Sequence, residues 1–422
     1  MRSRLLTFLL AVIVLVTLNC SKDNSTEPSG NSTPSVPTSP SPASGAADVA
    51  TSTTLSWQCS DPDGDTLLFD IYFGTSESPS LAMADQNTMS FQPTSLQYNA
   101  IYYWRVVAKD MHSHETSGPV WTFSTPSRQS GLFWVAGYDT PGYATGIDAS
   151  GEYAYLADGW RGLVIVNVSD PTHPVLTANW WRDDPGHGYY RVRVGGNYAY
   201  VATSGQSGFL VVDISIPSNP QYMGGGWGYE EPDSPSDIAV VGNNVFLAKN
   251  DVYEFNISDP AHPSKTGVRY TPGPSRGIFT VGSYIFIADG TMGLRIFLGS
   301  GEVGYYSPPG DAYDVFVTNG MAYVTCASYG LQVVDATDPH NPFLAGGCDT
   351  PGGAVAVVCE GNFCFVADGS AGLQAIDISN PASPTLEATY DTPGRATDVC
   401  LWNGYILVAD ESSGLVILEF VP

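Results

Sequence analysis

Positive charge is what this chain most lacks. Its 422 residues carry 16 Lys and Arg against 42 Asp and Glu, a formal net charge of −26. Such a balance excludes binding to a nucleic-acid backbone and adsorption to an anionic membrane, both of which need clustered cations. Apolar residues at helical spacing are also missing beyond the N-terminus, which excludes an α-helical core. Long hydrophobic runs are limited to Leu5–Leu18, shorter than the ~20 residues of a spanning helix. There is no nucleophile elbow, no zinc motif and no phosphate-cradling Gly-Lys loop, so the familiar hydrolase, metalloprotease and nucleotide-binding signatures are absent. Histidine is rare, and His173, His262 and His340 recur inside Asp-Pro turns rather than as a cluster.

What is present is repetition. An aromatic–aliphatic strand ending in Ala-Asp, a Gly turn, then Gly-Leu and a second aliphatic strand recur seven times. The fullest copies are Tyr153–Ser169, Phe363–Ser379 and Tyr405–Phe420; the others are Tyr198–Ser215, Val245–Ser258, Tyr284–Leu298 and Ala322–Thr337. Gly330, Gly372 and Gly414 are spaced by 42 residues, whereas Gly162 to Gly208 spans 46 and Gly293 to Gly330 spans 37. An all-strand period of ~40–45 residues predicts propeller blades. Short Gly/Asn turns between the first two strands fit tight hairpins, and Ser-Asp-Pro segments at 169–174, 258–263, 337–342 and 379–384 stop the third strand. The last copy stops after its third strand. Leu132–Thr140, which matches the fourth strands ending in Asp-Thr-Pro-Gly at 349–352 and 391–394, is expected to complete that blade. The fold class expected is therefore all-β, a seven-bladed β-propeller over residues 131–422 preceded by a small β-sandwich.

The repeat wording (GLVIVNVSDPTHP, FLVVDISIPSNP, LQAIDISNPASP) resembles the LVIVD-repeat family of bacterial surface propellers. That resemblance implies a surface scaffold and carries no general catalytic motif. Two copies depart from it: Lys249-Asn250-Asp251 replaces the Gly turn, and Gly299-Ser300-Gly301 replaces Ser-Asp-Pro.

Residues 47–126 alternate apolar and polar positions between turns and are similar to bacterial fibronectin type III domains, Trp57 matching the core tryptophan and Tyr102 the corner tyrosine. Asp61, Asp63 and Asp65 stand on alternate residues of a tight turn. That spacing can converge on one Ca²⁺; equally, Asp, Pro and Gly make such a turn with no ion. His112 and His114 read as solvated loop residues. At the N-terminus, Arg2 and Arg4, the apolar run and Cys20 followed by a Ser/Pro/Thr stretch resemble a bacterial lipoprotein signal. Residues 1–19 would then be removed, Cys20 lipidated, and 20–46 left as a disordered tether from the outer membrane or cell surface. The remaining cysteines read as small buried hydrophobes, although Cys359 and Cys364 flank a short turn that would let them pair.

Candidate site residues fall into two groups. Twelve positions before each Ala-Asp position, at the axial end of the first strand, lie Gly146, Arg191, Asp237, Gly277, Asp314, Ala356 and Asp398. Asp237, Asp314 and Asp398 would surround a channel mouth with Arg191 as the lone opposite charge, an arrangement for a cation or polar ligand. Asp158, Asp289, Asp368 and Asp410 at the Ala-Asp positions read as turn caps. The second group is two expanded loops, with Trp180, Trp181, His187 and Tyr189 in one and Trp227 and Tyr229 in the other. Aromatics on such loops suit sugars or a protein partner. The expectation is a membrane-anchored envelope protein that binds a protein or polysaccharide through one propeller face, with no cofactor. The alternative is a carbohydrate-active hydrolase or lyase using the channel acids.

Overall fold

A computed structural model describes residues 31–94, 96–182, 188–204, 208–226 and 235–422. The chain divides into two compact units, Met1–Arg128 and Gln129–Pro422, and every described element is a strand.

The first unit packs two antiparallel sheets over one core. Thr38–Ser41, Leu55–Gln58 and Ser90–Phe91 form one; Ser80–Gln86, Leu68–Gly74, Ile101–Lys109, Glu115–Ser117 and Trp121–Ser124 form the other. Leu55 and Trp57 from the first meet Phe69, Ile71, Trp104 and Phe123 from the second. The Tyr102 hydroxyl accepts the Gln97 N–H at 2.8 Å, closing the turn before its own strand. Residues 31–46 belong to this unit, which corrects the expectation of a tether reaching residue 46. Thr38–Ser41 pairs with Leu55–Gln58, Ala46 bridges Phe123, and Pro34 and Pro37 are buried. Low-complexity wording concealed an edge strand, the one place in a sheet that tolerates proline.

In the second unit seven four-stranded antiparallel sheets follow one another along the chain. Numbered one to seven, they span 146–180, 189–226, 237–269, 277–306, 314–348, 356–390 and 398–421, the last completed by Gly131–Tyr138. That strand pairs antiparallel with Leu415–Val421 and supplies the outermost position, so the two ends of the unit share one sheet. Each innermost strand touches those of the sheets before and after it, and the seventh touches the first; the ring is closed.

The burial pattern explains the repeat wording. Second and third strands are covered on both faces, so Tyr153–Ala157 and Leu163–Asn167 are almost wholly apolar rather than alternating. Alternation instead decides which neighbour each residue meets. Leu156 and Val164 pack against sheet seven, while Tyr155, Leu163 and Ile165 pack against sheet two. Fourth strands are largely exposed, and in all seven sheets a bulge interrupts their pairing with the third; bulges add the local twist that splayed sheets need. The repeat glycine is fixed by space as well as conformation: at Gly372, φ is +74° and a Cβ would lie 2.1 Å from the Tyr390 carbonyl oxygen.

Cys359 and Cys364 form a disulfide, correcting their reading as small hydrophobes. They are direct partners in the first hairpin of sheet six, with Cα atoms 4.0 Å apart. Cys326 is buried as a free thiol.

Replacing Gly131–Tyr138 by an equal length of Gly-Ser would expose the Leu415–Val421 edge and unbury Leu132 and Ala136. Stability should fall by about 4 kcal/mol or more. Urea unfolding measures it, and an unchanged midpoint would show that the strand does not close the ring.

Candidate functional site

Six innermost strands open on a residue that faces the end of the second strand, as Gly146 faces Ala157 and Asp398 faces Ala409; in sheet two, whose strand opens at Tyr189, the equivalent residue is Arg191, opposite Ala202. Read round the ring, that layer runs Gly146, Arg191, Asp237, Gly277, Asp314, Ala356, Asp398. Every Asp is followed, in the next sheet, by a glycine or alanine. The reason is steric and polar together. Asp398 Oδ2 accepts the Ile147 N–H at 3.0 Å, Asp237 Oδ2 that of Ile278 at 3.0 Å, and Asp314 Oδ2 that of Val357 at 3.0 Å. At these three joints the residue before the amide is Gly146, Gly277 or Ala356, each small. Crowding on the other side is equally tight: a Cβ on Gly277 would sit 2.7 Å from the Asp314 Cα.

A second layer, two residues further along, was missed in the sequence. Asp148 and Arg193 lie there, and strand periodicity from Gly146 and Arg191 would have pointed to both. Asp148 Oδ2 accepts the Val194 N–H at 2.7 Å, a fourth inter-sheet latch. Arg193 lies 3.5 Å from Asp237 Oδ1 and 3.5 Å from Asp398 Oδ2, and Arg191 Nε is 3.9 Å from Asp398 Oδ2. Burial opposes the Arg193 charge, yet Asp398, Asp237, Asp148 and Asp314 together hold its proton more firmly than usual. Asp237 Oδ1 accepts no hydrogen bond among the described residues and has only this guanidinium beside it. The carboxyls of Asp148 and Asp237 are raised by desolvation against the pull of Arg193. Asp314, desolvated and facing Asp237 and Asp398, is raised from 3.8 to about 7. Asp148, Arg193, Asp314 and Asp398 line a cavity of about 440 Å³ on the axis, whose walls include aliphatic side chains such as Ile278, Val357 and Val399.

The Ala-Asp carboxylates hold loops. Asp368 accepts the Thr350 hydroxyl at 2.7 Å and the Gly352 N–H at 2.8 Å; Asp410 holds Thr392 and Gly394 in the same way, each at 2.6 Å. Asp158 takes the Thr140 hydroxyl and Asp289 the Gly273 N–H. All four are fully buried, which pushes their carboxyls up, Asp158 to about 6. The Asp-Thr-Pro-Gly segments are thus moulded onto the Asp that ends the next sheet's second strand.

Of the expanded-loop residues, His187, Trp227 and Tyr229 lie outside the described residues, as does Cys20. Tyr189 is a correction: it is 1% exposed, packs in the core between sheets one and two, and its hydroxyl accepts the Arg182 N–H. It opens the innermost strand of sheet two rather than extending the loop. Trp180 is half-buried against it, with centroids 6.4 Å apart, and Trp181 is 59% exposed. The same face carries Trp160, 67% exposed, together with Tyr143 and Tyr329; these were missed because they sit inside ordinary repeat turns.

Above the first layer opens a second cavity, of about 480 Å³, lined by residues that immediately precede the inner strands, such as Thr145, Ser236 and Tyr313. Arg191, Lys249, Arg276 and Arg395 also line it, with Glu411. Arg191 is therefore not the lone cation of the mouth. The Asp ring expected there lies one residue deeper, turned to its neighbours' backbones.

In the first unit, Asp61, Asp63 and Asp65 do not converge on an ion site. Asp61 Oδ1 caps the N–H groups of Asp63 and Asp65, Asp63 Oδ2 takes the Ser32 N–H, and Asp65 pairs with His112 at 3.1 Å. His114 is not simply solvated: it lies 2.9 Å from the buried Asp110 carboxylate.

Comparison with solved structures identifies the class. The chain is similar to a chain of a mitotic checkpoint complex (11% identity, TM-score 0.58, covering 70% of this chain and 94% of that one). It is also similar to the WD40 β-propeller domain of Doa1 (10%, 0.55, 69% and 97%) and to the computationally designed Ika8 protein (7%, 0.50, 77% and 94%). The fold is that of a β-propeller. The LVIVD repeat matches six times, at residues 141–180, 190–225, 234–271, 309–350, 351–392 and 393–419, and the chain belongs to that family. Sheet four, where Gly299-Ser300-Gly301 replaces Ser-Asp-Pro, falls outside the matches yet has the same four strands. No curated protein matches the chain.

Asp398 latches sheet seven to sheet one and neutralises Arg193, so Asp398→Ala should cost about 3 kcal/mol, an orphaned amide and an underpaired guanidinium together. Urea unfolding checks this. A second expectation concerns pH. Folded Asp314 keeps its proton up to about 7, whereas the unfolded chain releases it near 3.8. Its contribution is fully present below the unfolded value and is lost as pH rises through 7. Stability measured from pH 5 to 8 should therefore decline, and Asp314→Asn should flatten the slope; an identical slope would remove Asp314 as its source.

Proposed function

We propose that this is an exported, lipid-anchored envelope protein in which a fibronectin type III-like spacer carries a seven-bladed propeller used for binding. The mouth cavity carries this reading: about 480 Å³ is open on the face formed by the loops between second and third strands and between consecutive sheets. That volume suits a small ligand or the end of a larger one. Exposed Trp160 and Trp181 extend the face outward, and such rings stack on sugars or anchor a protein partner. Export is supported by the Cys20 signal and by the Cys359–Cys364 disulfide, a bond favoured in oxidising compartments. The spacer assignment rests on buried Trp57 and the Tyr102 turn bond. The hydrolase reading has less support, because each channel carboxylate is committed to a neighbouring strand's amide.

The test is a glycan array and crosslinking on intact cells, with wild type beside Trp160→Ala/Trp181→Ala. Wild type should retain a defined glycan or envelope protein and the variant should lose it at least about tenfold with unchanged melting, since aromatic anchors dominate such contacts. Equal retention by both would reject this face. Cleaved glycan released by wild type would instead favour the enzyme.

A further inference from the structure

The cations of the mouth are departures from the repeat. At the position where sheets one, four, six and seven place Asp158, Asp289, Asp368 and Asp410, sheet three places Lys249. At the first layer of the channel, where the other sheets place Gly, Ala or Asp, sheet two places Arg191. Arg276 and Arg395 occupy loop positions at which no other repeat has a cation. Four of the protein's 16 Lys and Arg residues thus line a single cavity in a chain of net charge −26. Chance scatter over so acidic a surface would not collect them. Lysine is rarely buried, yet Lys249 is 8% exposed at the edge of this space.

Two of the three guanidinium groups are only loosely charge-paired. Arg395 pairs with Glu411 at 3.1 Å, and Arg276 lies 3.7 Å from a partly exposed Asp311. Arg276 also stacks over the Tyr313 ring at 4.1 Å, which holds the guanidinium plane at the cavity wall. Arg191 donates to the carbonyl oxygens of Thr145, Tyr190 and Thr397, so it is fixed in place while only distantly charge-paired, 3.9 Å from Asp398. Rigid guanidinium groups beside hydroxyls and an aromatic ring are what recognition of a sugar oxyanion requires.

We infer that the propeller mouth is a binding site for a short oxyanion-bearing sugar, read through Arg276, Arg395, Lys249 and Arg191. This rests on the binding role proposed above and names its ligand class. The surrounding negative surface repels long polyanions, so the site selects a short acidic unit or a chain end.

Calorimetry with digalacturonate, the neutral galactobiose and inorganic phosphate tests it on the full chain. Digalacturonate should bind and galactobiose should bind at least about tenfold more weakly, the worth of one charge-assisted contact. Arg276→Gln/Arg395→Gln should lose about tenfold or more while melting as wild type does, and raised salt should weaken the wild type. Lys249→Gln should act in the same direction, but only the Arg pair, being more exposed, decides if that variant fails to fold. Displacement of digalacturonate by phosphate at similar concentration also supports an oxyanion site and assigns it to phosphate esters rather than carboxylates. Equal binding of the neutral sugar, or an unaffected double variant, overturns the inference. If no oxyanion binds but a glycan still depends on Trp160 and Trp181, this inference fails and the binding function stands; if neither is seen, both fail.

Discussion

A closed ring of sheets leaves one set of backbone groups without natural partners. The inner edge of each first strand faces the axis, where no further strand can add. Amides there are too deep for free hydration and too costly to leave unpaired. Carboxylates from the preceding sheet meet this need at Ile147, Val194, Ile278 and Val357. Each bond ties one sheet to the next, so the same interaction that satisfies an amide also sets the contact between sheets. It also dictates sequence. Gly146 and Gly277 have no room for a side chain, because a Cβ would lie 2.7 Å from the Arg191 Cα and from the Asp314 Cα of the following sheet. Arg193 then becomes necessary, since Asp237 and Asp398 converge on it and their mutual repulsion would otherwise act undiminished.

The strong negative charge follows from this economy of residue type. Aspartate serves in three places for one reason, a short side chain with two acceptors. On the axis it latches strands, at the Ala-Asp positions it gathers the Thr and Gly of the incoming loop, and after the third strand Asp170, Asp259 and Asp338 close the Asp-Pro turns through amides two residues on. Much of the −26 charge is therefore structural. Composition alone invites a search for cations among these acids, but their lone pairs are largely spent within the fold.

Repeat period and apolar wording made the all-strand architecture legible, because strands covered on both faces must be apolar throughout. Pairing of the N-terminal strand Gly131–Tyr138 with Leu415–Val421 was legible too, since the last copy lacked a partner that the first possessed. Asp237, Asp314 and Asp398 were placed on the axis, yet their role was not readable. It depends on which residue of the next sheet lies across from each, and spacing within one repeat holds no such information. Tyr189 was misjudged for a related reason: strand start and loop end share the same letters, and only burial against Leu163 and Val192 separates them. The segment 31–46 shows the converse error, where proline-rich wording hid an edge strand held by backbone pairing.

In a molecule built from one repeated solution, departures from the repeat are where a separate constraint has acted. Sheet three gives up the loop-gathering Asp for Lys249, and its Asp251 Oδ1 accepts the Thr271 N–H at 3.0 Å in the loop that leads on to sheet four. The position that gathers a loop in other sheets thus carries the opposite charge, at the wall of the mouth. Sheet two likewise gives up a small or acidic axial residue for Arg191, whose guanidinium is held by three carbonyl oxygens. Neither change improves the ring, because desolvated cations are expensive. Both line one cavity, and that convergence argues for selection at the mouth rather than drift within the repeat.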